Sequence, residues 1–302
     1  MIKSKTVKRV LFALACALIA GVFVFAQSIT IKDSAERSIT LPSKAVRIVS
    51  LAPALTETLY AIGATTIGNT TYCNYPNEAN TVQKIGGYFA KSINIEMIVA
   101  LKPDVVIGEF GTHGSLYEPL TNAGLRVVLL KLDTFDDIYN AISKVGQLTG
   151  NDKKAADLIA TLKKRMNAVT QKVKTVPETK QPTLFWEVWH EPLMTAGPNT
   201  FIGQIITAAG AKNIFADLTE NWPIVSLEAV LTKNPMYIAS TYSHGSEMDN
   251  TKLKSRTGWS SMTAVAQNRI LLFDDDIFSR PGPRFVDAVE LLAKALYPNL
   301  FK

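Results

Sequence analysis

Asn94-Ile95-Glu96-Met97-Ile98-Val99-Ala100-Leu101-Lys102-Pro103-Asp104-Val105-Val106-Ile107 lays without a gap on Ser226-Leu227-Glu228-Ala229-Val230-Leu231-Thr232-Lys233-Asn234-Pro235-Met236-Tyr237-Ile238-Ala239, 132 residues further on. In both copies a helix-capping residue, an aliphatic, a glutamate, a short helix, a proline and a strand follow in order. Ala61-Ile62-Gly63-Ala64 has a counterpart at Ala208-Ala209-Gly210-Ala211, where a glycine again ends a helix. One reading is two lobes grown from one unit, each presenting a carboxylate, Glu96 or Glu228, at an equivalent surface point. The plainer reading makes both glutamates first-turn residues that complement the helix dipole. Two equivalent charges suit a partner that also has two equivalent halves, because charge complementarity sets register and encounter rate.

Outward from the repeat, strands alternate with helices. Val46–Ser50, Val105–Ile107 and Arg126–Leu130 read as strands; Pro53–Ile62, Ile93–Leu101, Ser115–Ala123 and Thr134–Leu148 read as helices. Asp152 to Lys174 then runs without glycine or proline, with Ala155, Leu158, Ile159, Leu162, Met166, Val169 and Val173 at helical spacing. A helix of ~23 residues spans ~35 Å, about the width of a small domain, and can brace one lobe against the other. A second series follows: strands at Thr183–Val188, Met236–Ala239 and Ile270–Phe273, and helices at Phe201–Ala209, Ser226–Thr232 and Arg284–Leu296. The expected fold class is α/β: two Rossmann-like lobes with mainly parallel sheets joined by one long rigid helix. The expected divisions are 1–26, 27–148, 149–178 and 179–302.

The first division is an export signal. Lys3, Lys5, Lys8 and Arg9 precede an uncharged run from Val10 to Ala26, which ends Val24-Phe25-Ala26 ahead of a plausible cleavage point. A run of 17 residues lies at the lower limit for spanning a membrane. The competing readings are an uncleaved anchor and a lipoprotein acylated at Cys16, although Ala13-Leu14-Ala15-Cys16 places its leucine one position too late for that. Cleavage after Ala26 removes four basic residues and lowers the net charge from +6 to +2. The charge argument for nucleic acid disappears with them. One cysteine, Cys73, then remains, so neither a disulfide scaffold nor a multi-cysteine metal module is available.

The loops are rich in aromatic residues: Tyr72, Tyr75, Tyr88, Phe89 and Phe110 in the first lobe, and Trp186, Trp189, Trp222, Tyr242 and Phe278 in the second. Several leave the carboxyl ends of strands, where α/β folds bind ligands. Aromatic walls with a few polar groups suit a large, partly apolar ligand. Taken singly, each ring is better explained by core or rim packing; it is their clustering in turn-rich segments that points to a pocket. All three histidines, His113, His190 and His244, fall in these loops, but their spacing carries no zinc pattern. Arg280 either meets an anionic group of a ligand or anchors its loop to Asp274, Asp275 or Asp276. No Gly-x-Ser-x-Gly elbow, phosphate loop, dinucleotide fingerprint or His-Glu-x-x-His is present, so no catalytic residue is assigned. A thiol nucleophile at Cys73 lacks a supporting pattern.

Ile48-Val49-Ser50-Leu51-Ala52-Pro53 with Thr56-Glu57, Tyr75-Pro76, Gly86-Gly87-Tyr88, Glu96 with Leu101-Lys102-Pro103-Asp104, Trp222-Pro223 with Ser226-Leu227-Glu228, and Ser279-Arg280-Pro281-Gly282-Pro283-Arg284 together resemble the periplasmic substrate-binding proteins of ABC importers for cobalamin, ferric siderophores and haem. The resemblance covers roughly residues 45 to 298. It implies a ligand cleft between two lobes, little hinge closure, and docking of Glu96 and Glu228 onto arginines of the importer's transmembrane subunits. Pro53, Tyr72, Tyr75, Tyr88, Phe110, Trp186, Trp189, Trp222, Tyr242 and Arg280 are the expected ligand contacts. The pattern looks closest to the cobalamin branch. Tyr88 stands where haem-binding relatives carry an iron-ligating tyrosine, which keeps haem and ferric siderophores as alternatives. The expectation is an exported, monomeric receptor, periplasmic or at the cell surface. It has no catalytic activity, no resident cofactor or metal and no nucleic-acid partner.

Overall fold

The computed structural model describes residues 28–242 and 250–302. The expected signal segment lies outside them. The described chain opens on a hairpin of β1 (Ile29–Lys32) and antiparallel β2 (Ser38–Leu41). Ile31, Ile39 and Leu41 alternate inward, while Thr30, Lys32 and Thr40 are exposed. Asp33 holds the turn: its carboxylate accepts from the Ala35 and Arg37 amides and from the Arg37 guanidinium. This hairpin adds to the elements expected from the sequence.

The first lobe is a five-stranded sheet of β3 (Ile48–Ser50), β4 (Gly68–Asn69), β5 (Gln83–Lys84), β6 (Val105–Glu109) and β7 (Val127–Leu130). All pairs are parallel, in the order β5-β4-β3-β6-β7. Its central strands, β3 and β6, are buried on both faces, as their continuous apolar runs require. The second lobe holds β8 (Thr183–Trp189), β9 (Met194–Thr195), β10 (Lys212–Asn213), β11 (Tyr237–Tyr242) and β12 (Ile270–Asp274). The order β10-β8-β11-β12 is parallel, and β9 lies antiparallel against β8.

The repeat in the sequence is a repeat in structure. Asn94 and Ser226 both cap their helices, accepting from the amides of Met97 and Ala229. Ile98 and Val230 are wholly buried, and Glu96 and Glu228 are exposed. Lys102 and Asn234 leave the helices with φ of 46° and 38°. The following strands, β6 and β11, take the central place in β3-β6-β7 and β8-β11-β12. Short elements differ from expectation at their edges. The helix expected from Ser115 is a 3-10 turn, Gly114–Leu116, followed by the helix Tyr117–Asn122.

The bracing helix is Asp152–Val173, about 33 Å long at 1.5 Å per residue. It buries Ala155, Leu162, Val169 and Val173 and leaves Lys153, Lys154, Lys163, Lys164 and Lys172 in solvent. Arg165 pairs with Asp287 and Glu290 of the closing helix Phe285–Leu296. One apolar cluster runs through both lobes. At their junction Phe135, which begins the helix Phe135–Thr149, packs on Phe285 at 4.7 Å and Phe201 at 6.2 Å between ring centres. Among the described residues no helix is long and apolar enough to cross a membrane.

Candidate ligand cleft

The carboxyl ends of both parallel sheets face one cleft. Two neighbouring cavities occupy it, of about 240 and 290 Å³. The first is lined from one lobe by Ala52, Pro53, Ala54, Tyr72, Tyr88, Phe89 and Glu109, and from the other by Asp275, Asp276, Ser279, Arg280 and Pro281. The second shares Tyr88, Glu109, Ser279 and Pro281 and adds Leu132, Asp133, Val188, Asn199, Thr200, Phe201, Ile202, Asn221, Trp222 and Phe278. These residues follow β3, β6, β7, β8 and β12, the strand ends at which this architecture gathers ligands.

Tyr88 stands in both linings. Its ring meets Tyr72, Phe89 and His113 edge-on, with centres 6.4, 5.3 and 5.5 Å away. Its hydroxyl donates to the Glu109 carboxylate at the end of β6 and lies 3.3 Å from the Thr112 hydroxyl. Burial first, and then the neighbouring Glu109 charge, pushes the phenol far above its ordinary pKa. Glu109 is itself raised, by burial foremost and also by Asp133.

His113 is completely buried behind this wall. Its Nδ1 accepts from the Glu109 amide at 3.0 Å, so Nε2 carries the proton and donates it to the Tyr88 carbonyl at 2.8 Å. Burial lowers its pKa and keeps the ring neutral. Both nitrogens are committed to the fold. Cys73 is buried too, with the Thr56 and Thr70 hydroxyls each 3.2 Å from its sulfur. Its carbonyl accepts from Lys84 Nζ, which also binds Asn69 and the Ala79 carbonyl and so knits the loop carrying Tyr72. Among the described residues no three His, Cys, Asp or Glu side chains group to hold a metal ion.

The floor of the cleft is a charged joint between the lobes. Arg280 is 9% exposed. It donates to Asn74 Oδ1 at 2.6 Å, the Tyr72 carbonyl at 3.0 Å, Glu57 at 3.3 Å and the Asp276 carboxylate. Glu57, on the helix Pro53–Ala61, also receives Arg284 Nε at 2.8 Å and Nη2 at 2.6 Å. Asn74 Nδ2 reaches back to Asp276 at 2.7 Å. Gly282 lies so close that a Cβ there would stand 3.1 Å from Ala54 backbone atoms.

Of the residues expected to contact ligand, the fold thus brings Pro53, Tyr72, Tyr88, Trp222 and Arg280 to the cleft. Arg280 does so as an anchor, the second of its two readings. Trp186 is 1% exposed, stacked in the core against Phe273 and Phe278. Phe110 packs into the first lobe with Lys131 over its ring. Tyr75 lies under the Arg284 guanidinium, and Trp189 is exposed with its indole donating to the Glu191 carbonyl. None of these four lines either cavity. His190 stands exposed beside Glu191. The backbone of Tyr242 pairs with Asp274, its side chain is not among the described atoms, and His244 lies outside the described residues. The expected ligand contacts did not include Phe89, although it stands among the loop aromatics, nor Glu109, Asp133 and Asp276. Glu57 had no expected role.

Two lobes of parallel sheet facing each other across an aromatic-walled cleft define a receptor that holds a solute between them. The chain belongs to the periplasmic binding protein family, which residues 48–277 match, and it is a substrate-binding protein of an ABC importer. It is 32% identical over 284 residues to the uncharacterized ABC transporter substrate-binding lipoprotein YvrC of Bacillus subtilis, covering 91% of this chain and 87% of that one. It is 30% identical over 253 residues to the vitamin B12-binding protein of Salmonella typhi, covering 83% and 90%. A crystal structure of a possible iron-binding periplasmic solute-binding protein from Staphylococcus epidermidis superimposes with a TM-score of 0.72 at 31% identity, covering 84% of this chain and all of that one.

Proposed function

We propose that this chain captures a cobalamin-type corrinoid between its lobes and delivers it unchanged to an ABC importer. It acts as an exported monomer freed of residues 1–26, without catalysis and without a resident cofactor. The observation that carries the reading is the Tyr88 hydroxyl bound to Glu109. A phenol held protonated by a buried carboxylate is a poor ligand for ferric iron, yet it remains a good aromatic face. A corrinoid needs such faces: its cobalt brings its own axial ligands, and its rim carries amides that donate to carboxylates and carbonyls. Haem asks instead for a protein ligand to iron and for cations to meet its propionates. Among the described residues the one cationic side chain lining these cavities, Arg280, is already engaged by four partners. The likeness to the Salmonella typhi vitamin B12-binding protein supports the same choice.

Fluorescence titration tests it, since Trp222 lines the cleft. Cyanocobalamin should quench and be recovered intact, and Tyr88→Phe should weaken binding by only a few-fold, because the ring face remains. Tighter binding of haem, with an absorbance band that Tyr88→Phe abolishes, would reverse the assignment. Turnover of the ligand would overturn the receptor reading.

A further inference from the structure

The walls of the cleft are aromatic, but its ionisable groups are of one sign. Glu109, Asp133, Asp275 and Asp276 line the two cavities, and Arg280 is the one cationic side chain on either lining among the described residues. Arg280 is matched by Asp276 beside it, and the buried Glu57 is matched by Arg284. Lys131, next along the chain from the cleft, turns its ammonium to the Phe110 ring. Glu109 accepts from the neutral Tyr88 hydroxyl and Asp275 from the neutral Ser279 hydroxyl; Asp133 is exposed at the mouth. Glu109, Asp133 and Asp275 therefore form no ion pair among the described residues. Glu109 and Asp133 stand together on the lining of the second cavity, so a ligand there meets both carboxylates.

This balance bears on which corrinoid enters. A cobalt(III) corrin with one cyanide ligand carries one positive charge: three from the metal, less one for the ring and one for the cyanide. A complete corrinoid adds a phosphodiester in its nucleotide tail and becomes neutral overall, with the negative charge fixed on the tail. On the corrinoid reading above, we propose that the preferred substrate is a cationic corrinoid lacking the phosphodiester tail, and that Glu109 and Asp133 make the selection. A unit charge within about 8 Å of a carboxylate, in surroundings of effective dielectric ~20, changes affinity by roughly tenfold or more before screening.

The test compares aquocyanocobinamide with cyanocobalamin by tryptophan quenching at low and high salt. It uses the purified chain, Asp133→Asn and Glu109→Gln. Asp133 is exposed, so its replacement leaves the core intact. Cobinamide should bind about tenfold more tightly. The gap should narrow several-fold in each variant and at high salt. Equal or tighter binding of cyanocobalamin would overturn the proposal, as would a gap that neither salt nor the substitutions move. If neither corrinoid binds, the corrinoid reading itself falls, and this substrate with it. The charge selection is then decided separately by a cationic tetra(N-methylpyridyl)porphyrin against an anionic tetrasulfonated one: preference for the cation retains the role of Glu109 and Asp133, and preference for the anion removes it.

Discussion

His113 shows how much a single buried side chain can reveal. Both ring nitrogens are used and its pKa is lowered by burial, so the folded ring stays neutral where an unfolded imidazole, with a pKa of about 6.5, takes up a proton. Stability contributed this way is present above that value and lost as pH falls below it, with a slope of at most about 1.4 kcal/mol per pH unit. Urea denaturation between pH 7.5 and 5.5 should show the decline. His113→Gln should lower stability throughout and flatten the slope; an unchanged slope would assign the pH dependence elsewhere. Glu57 supports a second prediction. Its side chain is 2% exposed and bonded to two guanidinium groups. Glu57→Gln leaves Arg284 without its carboxylate and Arg280 with Asp276 alone, and should cost about 3–5 kcal/mol in denaturant titration. A loss under 1 kcal/mol would mean that solvent or Asp276 compensates both arginines. Tyr88 and Trp222 were legible as cleft residues because turn-forming neighbours placed them in loops. Trp186 was misleading, since both faces of β8 are covered and an aromatic near a strand end does not declare which neighbours will close over it. Glu109 was illegible, because a carboxylate ending a strand is ordinary until the Tyr88 loop folds over it.

At the scale of elements the sequence was most readable where a pattern occurs twice. Cap, buried aliphatic, left-handed exit and proline recur at one offset, and each is a local requirement that survives divergence. The strands β4, β5, β9 and β10 have two residues each, and no periodicity shows in two residues. Register with longer neighbours creates them. The helices Ile95–Ala100 and Leu227–Lys233 each offer one exposed glutamate in the first turn, and neither glutamate forms an ion pair among the described residues. They contribute little to the fold, and their equivalence remains to be explained by a two-part partner. Glu96→Ala with Glu228→Ala should leave ligand affinity and thermal stability unchanged while weakening binding to importer vesicles by at least tenfold at low salt. That gap should shrink as salt rises. Each single variant should show an intermediate loss. Full affinity in the double variant would leave both glutamates as helix-dipole residues only.

The whole molecule is tied together at three levels: the bracing helix behind, the phenylalanine contact of Phe135 with Phe201 and Phe285, and the charged joint of Glu57, Arg280, Arg284 and Asp276 under the cleft. A hinge that swings open must break the last two together, which exposes apolar rings and strips partners from a buried carboxylate. The lobes are therefore expected to stay near their present separation whether or not ligand is bound. Solution scattering profiles with and without saturating ligand should superimpose. Gly282 offers a way to disturb the joint without touching any charge, because a Cβ there would stand 3.1 Å from the Ala54 backbone, closer than ordinary contact, and a branched side chain would press further. Gly282→Val should wedge the floor apart, give a broader ligand-free profile that contracts on binding, and weaken affinity by roughly tenfold as closure consumes binding energy. If the variant's profiles also superimpose, the separation of the lobes is set by the bracing helix, and Arg165→Ala, which removes the ion pairs between that helix and the closing helix, becomes the next change to test for loosening.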